Sequence, residues 1–341
     1  MSINSENDSA TKFAGGLALS EAYYFELVKP LLAAEYADLS YSAALIGNGS
    51  EVLGFDTEMS SDHCWGPRLL LFLEKDDFFK RKDELNSFLE AKLPSSYKGY
   101  ATHFDAPPNL PEVKNYGIVF LTIESFIQKQ LEFPFREGQE LNPVDWLKFQ
   151  EYQLATIAGG KVFHDGLKLE SVRAQFHYYP QDVWLYLMAS FWLHIEEEEH
   201  LMGRAGFVGD EVGSALIAAR LVRSLMRLCF LMERQYAPYA KWFGTAFSKL
   251  KSADKLEPVF RLVLSSSSWR ERQRWLCEAY KLIAGMQNSL AIIEPMRTAP
   301  IQFHDRPFLV ISMGRFSQAI SEKISDATLR SLLSKPVVVH L

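Results

Sequence analysis

Gly49-Ser50 and Asp62-His63-Cys64-Trp65-Gly66-Pro67-Arg68 give the strongest indication of the fold. The second motif leads directly into the apolar run Leu69-Leu70-Leu71-Phe72-Leu73. Residues 43–47, which precede it, are typical of a short buried strand, and Asn48-Gly49 is a strong turn signal. The apolar run predicts a second buried strand. The stretch therefore predicts two strands, a small-residue turn after the first, and an acidic residue at the edge of the second.

This turn and this acid predict a site for phosphates and a metal ion. Gly49 permits close backbone approach to a phosphate and Ser50 adds a hydroxyl, so both are candidate nucleotide-binding residues, with Arg68 as a candidate charge neutraliser. Asp62 is the candidate catalytic residue and a candidate Mg²⁺ ligand, because hard cations prefer oxygen. Glu124 is a candidate further ligand, or alternatively an acid in the first turn of a helix. The layout is that of a nucleotidyltransferase active site.

Cys64 departs from that layout. It stands two residues after Asp62, where a second carboxylate would share the same strand face. A thiol is a poor ligand for Mg²⁺. Glu51, Asp56 and Glu58, in the loop between the turn and Asp62, could supply replacement oxygens.

The bulk composition predicts a soluble cytoplasmic protein of two domains. The chain has 341 residues, 48% of them hydrophobic, and a net charge of −6, which argues against nucleic acid as a partner. Its three cysteines have no paired spacing, as expected in a reducing compartment. Residues 1–12 are polar, with no signal peptide indicated, and no apolar run is long enough for a membrane span.

We expect an α+β chain with a disordered tail at residues 1–12, an α/β domain at residues 13–135 and an all-α domain at residues 136–341. In the first domain, the predicted helices span residues 20–36 and 76–93, and the predicted strands span residues 43–47, 68–73, 101–104 and 116–123. In the second domain, the predicted helices span residues 145–157, 181–202, 210–235, 242–251, 269–287 and 315–333.

The chain also resembles an uncharacterised family of nucleotidyltransferase-like proteins, known mainly as a domain of unknown function. The resemblance is carried by residues 49–56 and 60–68, and by later motifs such as Tyr179-Pro180-Gln181-Asp182-Val183-Trp184 and Gly209-Asp210-Glu211-Val212-Gly213-Ser214. It implies a polymerase-β-type nucleotidyltransferase fold, with a mixed sheet and flanking helices, followed by a helical C-terminal domain. It also implies that Asp62 is the first metal carboxylate and that Cys64 replaces the second, since the family pattern is Asp-His-Asp-Trp-Gly-Pro-Arg.

Basic residues of the helical half form a second candidate feature. Arg220, Arg223 and Arg227 share one helix face, and Lys241 follows them, so Arg223 and Lys241 are candidate nucleotide-binding residues. The alternative is a set of internal ion pairs with the acids of the same domain, and the sequence leaves both open.

Two functions remain open at this point. The first is Mg²⁺-dependent transfer of a nucleotidyl group, with AMP as the expected group, from a nucleoside triphosphate such as ATP to a hydroxyl or amine of a small molecule. The second is a catalytically impaired protein that binds a nucleotide or another ligand, because Cys64 replaces a metal carboxylate. The acceptor and the oligomeric state are not set by the sequence.

Overall fold

A computed structural model of the chain describes residues 13–61, 65–102, 117–311 and 314–333. The tail expected at residues 1–12 lies outside the described residues. The strands are β1 (Tyr41–Leu45), β2 (Leu69–Leu73), β3 (Ser96–Tyr97), β4 (Tyr100–Ala101), β5 (Ile118–Leu121), β6 (Lys161–Asp165), β7 (Ile301–Gln302) and β8 (Leu309–Val310).

The α-helices of the described residues alternate with these strands in the first half of the chain and dominate the second. They are α1 (Gly16–Tyr23), α2 (Lys29–Glu35), α3 (Lys75–Lys92), α4 (Ile123–Leu131), α5 (Pro143–Trp146), α6 (Glu151–Ala158), α7 (Leu169–Ala174), α8 (Gln181–Phe207), α9 (Glu211–Met232), α10 (Ala240–Phe247), α11 (Ala253–Ser265), α12 (Trp269–Ser289), α13 (Gly314–Ser321) and α14 (Ala327–Leu333). The protein is thus α+β, with a small mixed sheet and a helical C-terminal region.

The chain divides into two compact units. One comprises Met1–Gln139 and Gln153–His177, and the other comprises Glu140–Tyr152 and Tyr178–Leu341. The predicted boundary at residues 135/136 differs from this division, because the chain returns to the first unit after residue 152. That return segment contributes β6 to the sheet.

The sheet of the first unit has four strands in the order β5-β2-β1-β6. Strand β1 runs antiparallel to both β2 and β6, whereas β5 runs parallel to β2. In this register Ala44 pairs with Leu70, so the end of β1 lies beside the start of β2. The turn that follows β1 and the segment that enters β2 therefore meet at one edge of the sheet, which we call the turn edge.

Both faces of the sheet are covered, which explains the uninterrupted apolar run of β2. On one face Leu69 and Leu71 pack into a core that includes residues of α1, α2 and α3. On the other face the ring of Phe72 makes an edge contact with Phe126 of α4, with 5.5 Å between ring centroids. Burial on both faces stabilises β2 as the centre of the unit.

The first helix differs from its prediction. It begins at Gly16 rather than near Ser20, and a π-helical turn, Tyr24–Val28, separates α1 from α2. Pro30 follows this turn and has no N–H to donate to the preceding turn of helix, which is a common cause of such an irregularity. Ser20 does not cap the helix, and its hydroxyl instead contacts the entry to β2.

The second unit is built on the pair α8 and α9, against which α12 and α13 pack. Two buried indoles fix this packing: Trp184 donates to the carbonyl of Leu231 at 2.7 Å, and Trp192 donates to the side chain of Gln287 at 2.8 Å. None of the helices in the described part of the chain has the length and apolar character needed to cross a bilayer.

Candidate functional site

The turn after β1 is a glycine-rich loop at the turn edge. Gly49 has φ +145°, outside the range that other residues favour. A Cβ at this position would overlap the guanidinium of Arg68 and the carboxylate of Glu51. Glycine is therefore favoured at this position, because Arg68 and Glu51 occupy the space that the Cβ of any other residue would need.

Arg68 links this turn to the start of β2. Its Nε donates to Oε1 of Glu51 at 2.9 Å, and its Nη2 contacts the same oxygen and donates to the carbonyl of Asn48 at 2.7 Å. The Glu51 side chain is 2% exposed and that of Arg68 is 21% exposed. Among the described residues, no hydrogen bond engages the Nη1 group of Arg68, so its two N–H donors remain for a ligand.

Residues 153–177 brace the turn from the other side. The N–H of Gly47 donates to the carbonyl of Thr156 at 2.9 Å, and the N–H of Gly160 donates to the carbonyl of Val52 at 2.8 Å. Arg173, which is buried, holds the end of α6 by donating to the carbonyls of residues 157–159. The turn is thus fixed at both ends by main-chain hydrogen bonds, a feature that sequence reasoning missed because these partners are more than 100 residues away.

The entry to β2 is also anchored. Asp56 accepts from the N–H of Gly16 at 2.7 Å and from the indole of Trp65 at 3.2 Å. Ser20 donates to the carbonyl of Gly66 and accepts from the N–H of Arg68, both at 3.2 Å. Asp56 therefore caps the first helix and holds Trp65.

Asp62 and Cys64 lie outside the described residues. Of their candidate substitutes, Glu51 is neutralised by Arg68 and Asp56 is engaged by Gly16 and Trp65. Glu58 is exposed, in a short 3₁₀-helix over Glu58–Ser61. In the described ranges, no three His, Cys, Asp or Glu side chains lie close enough together to hold a metal ion. These residues therefore do not form a Mg²⁺ site by themselves.

Glu124 lies far from the turn. It occupies the first turn of α4, after the end of β5, and accepts from the Nε2 of Gln128 at 3.1 Å. Because β5 is parallel to β2, Glu124 is at the sheet edge opposite to Arg68, about 13 Å away along the strands. The structure does not bring Glu124 together with Gly49, Ser50 and Arg68, and its position matches the alternative of an acid at a helix start.

The basic residues of the second unit do not form one continuous wall. Arg220 pairs with Glu198 at 2.6 Å, and Arg227 pairs with Glu151 at 3.2 Å. Arg223 is exposed, and in the described part of the chain it makes no ion pair. Lys241 is also exposed, with its Nζ 4.8 Å from the ring centroid of Trp242.

A partly buried carboxylate in the second unit, Glu151, was not predicted from the sequence; its side chain is 13% exposed. Glu151 begins α6 and faces Arg227, while the rings of Tyr178 and Tyr179 both contact Tyr236 beside it. Burial raises the pKa of Glu151 above its usual value, and the positive charge of Arg227 opposes that rise. Tyr236 packs against these two tyrosines, with ring centroids 5.1 Å and 5.0 Å apart.

A family comparison covers part of this architecture. Residues 146–243 match the family model described as Domain of unknown function (DUF4037). The matched segment includes the residues that brace the turn, and α8 and α9, but not residues 49–68. The match supports a relationship with an uncharacterised family, in agreement with that part of the resemblance. No curated protein matches the chain.

Proposed function

We propose that the first unit is a nucleotidyltransferase-like module that binds the phosphates of a nucleoside triphosphate at the turn formed by Gly49 and Ser50. The observation that carries this proposal is the Arg68 guanidinium, which is held against Gly49 by Asn48 and Glu51. A guanidinium with free donors beside a fixed glycine turn suits an anionic oxygen. Because the turn is already braced, phosphate binding would cost little ordering entropy.

The reaction proposed for this module is transfer of AMP from ATP to a hydroxyl or amine of a small molecule. The acceptor oxygen or nitrogen would form a bond to the α-phosphorus and give up its proton to water. The bond between the α-phosphorus and the oxygen that bridges to the β-phosphorus would break, and pyrophosphate would leave. Asp62 is the proposed catalytic carboxylate and Mg²⁺ ligand. The bound ion would neutralise phosphate charge. Since the described residues do not complete its ligand set, we assign no step to it.

A second function is favoured by a specific observation. Glu51 and Asp56, two of the carboxylates that could compensate for Cys64, are both engaged within the protein, and Glu124 lies at the opposite sheet edge. A module with a single metal carboxylate would bind a nucleotide without turning it over. We therefore propose nucleotide binding without catalysis as the alternative. We also propose a cytoplasmic location, because the buried Cys229 and Cys277 are free thiols, as expected in a reducing compartment.

Three proteins distinguish these functions: wild type, Asp62→Asn and Cys64→Asp. Each is incubated with ATP and Mg²⁺, and both pyrophosphate release and equilibrium binding of a nonhydrolysable ATP analogue are measured. Release by wild type that is lost in Asp62→Asn supports the transferase. Binding by wild type without release, with tighter Mg²⁺-dependent binding by Cys64→Asp, supports the alternative. Absence of nucleotide binding by both wild type and Cys64→Asp would refute the proposal as a whole.

A further inference from the structure

A groove in the second unit lies between the end of α9, the start of α11 and the last turns of α12. It has a volume of about 570 Å³, which falls in the range of sites for drug-sized ligands. Its floor is apolar and is formed by Met232, Leu256, Leu282, Met286 and Leu290. We call it the lysine groove, because three lysines line it.

The three lysines, Lys251, Lys255 and Lys281, are all exposed. Lys281 pairs with Glu278 at 2.7 Å. The ammonium groups of Lys251 and Lys255 have no ion pair or hydrogen bond within the described ranges. The groove thus presents two uncommitted cations above an apolar floor, although the chain as a whole carries a net charge of −6.

Two carboxylates set the charge balance of the groove: Glu233 lines it, and Glu278 pairs with the lining residue Lys281. The carboxylate of Glu233 accepts from the N–H groups of Lys251 and Ser252, at 2.7 and 2.9 Å, and so occupies the start of α11. Three lysines against Glu233 and Glu278 leave one surplus positive charge. That surplus matches a single anionic group better than a dianion.

The space above α12 is open. Lys281, Gly285 and Ser289 follow one another at intervals of four on one helix face, and a Cβ built on Gly285 would meet no atom within 4 Å. The groove therefore combines apolar surface, unfilled volume and free cations.

We propose that the lysine groove binds an amphipathic carboxylate, a small molecule with an apolar body and one carboxylate head. The apolar body would lie on the floor, where burial of its surface provides most of the affinity. The carboxylate would face Lys251 and Lys255. This site belongs to the second unit and is independent of the nucleotide proposal.

The test compares decanoate, decanol and decylammonium, which share one apolar chain and differ in charge. Their binding to the full chain is measured by isothermal titration calorimetry. Each exposed lysine is expected to strengthen decanoate binding about 1.5- to 5-fold, since exposed ion pairs are weak. Because Lys251 and Lys255 both face the carboxylate, decanoate should bind about tenfold more tightly than the uncharged decanol. Decylammonium should bind most weakly.

Gly285→Phe and Gly244→Phe form a matched pair of variants. Both glycines lie in helices with open space at the Cβ, but only Gly285 lines the groove. Gly285→Phe should weaken decanoate binding at least tenfold because the ring fills the groove, whereas Gly244→Phe should leave it unchanged. If Gly285→Phe does not fold, the double variant Lys251→Gln/Lys255→Gln replaces it and should weaken decanoate but not decanol.

Three results would each overturn the proposal. They are a failure of wild type to bind decanoate at millimolar concentration, equal affinity for decanol and decanoate, and an unchanged decanoate affinity in a folded Gly285→Phe or lysine double variant.

Discussion

The ion pair between Glu51 and Arg68 gives the sharpest prediction about the turn edge. Arg68→Met would leave the Glu51 carboxylate, 2% exposed, without its partner. Loss of one member of a buried pair costs about 3–5 kcal/mol, and the lower end applies because Arg68 is 21% exposed. Glu51→Gln should cost less, about 1–2 kcal/mol, since the remaining guanidinium can reach water.

A double-mutant cycle measures this asymmetry. The free energy of unfolding is determined for wild type, both single variants and the double variant by urea titration, with hydrogen exchange of β1 and β2 amides reporting on the first unit alone. We expect the double variant to be more stable than Arg68→Met, because no buried charge remains. Asp38→Asn is the control, since Asp38 pairs with Arg81 at 3.0 Å but is 75% exposed, and it should cost less than about 1 kcal/mol.

Two results would contradict the anchoring of Arg68 by Glu51: a loss of less than about 1 kcal/mol in Arg68→Met, or two single effects that add without coupling. Either result would mean that Arg68 is not anchored by Glu51. The guanidinium would then have no fixed position beside Gly49.

Three further predictions concern backbone, pH and thiols. Gly49→Ala should destabilise the first unit by about 1–3 kcal/mol and more than Gly54→Ala, because both glycines have positive φ but only Gly49 lacks space for a Cβ; urea unfolding compares them. Burial lowers the pKa of His200 below its usual 6.5, so the stability that it contributes is present above pH 6.5 and is lost as pH falls through its native pKa; His200→Gln should flatten that part of the stability profile. Burial raises the pKa of Cys229 and of Cys277 to about 12. Iodoacetamide at pH 8 should therefore leave both thiols unlabelled in the folded protein and label both in urea, as measured by mass spectrometry. Rapid labelling of either thiol in the folded protein would contradict this expectation.

The central strands β1 and β2 were predictable because nearly all of their residues are buried, which gives an uninterrupted run of apolar or small residues in the sequence. Strand β2 was predicted at residues 68–73 and is found at Leu69–Leu73. Strand β6 was missed because it is an outermost strand of the sheet, and only Phe163 of its five residues is buried. An edge strand that is half exposed has too little apolar periodicity to be recognised.

The helical half was predicted where the apolar stripe is long. Helices α9 and α12 fall close to the predicted residues 210–235 and 269–287. Helix α11 was missed because Pro258 interrupts its pattern. The single helix expected at residues 315–333 is two helices, and Asp326 caps the second by accepting from the N–H of Leu329 at 2.8 Å.

For the candidate site, the sequence predicted the turn and its neighbour Arg68 but not what holds them. The pairing of Glu51 with Arg68 and the support from Thr156 and Gly160 depend on the sheet register. Spacing along the chain also favoured Glu124 as a ligand, because it follows a strand. Only the parallel direction of β2 and β5 shows that Glu124 lies at the edge of the sheet opposite to the turn edge.

If the turn after β1 binds the phosphates of a nucleoside triphosphate, the protein should bind a nonhydrolysable ATP analogue in the presence of Mg²⁺, and a negative charge in the turn should weaken that binding. Ser50→Glu would place a negative charge in the turn, and Ser87→Glu would place the same charge on an exposed position of α3. We expect wild type and Ser87→Glu to bind the analogue equally and Ser50→Glu to bind it at least about tenfold more weakly, since like charges in close contact oppose binding. Equal binding by Ser50→Glu, or no binding by wild type, would contradict phosphate binding by the turn.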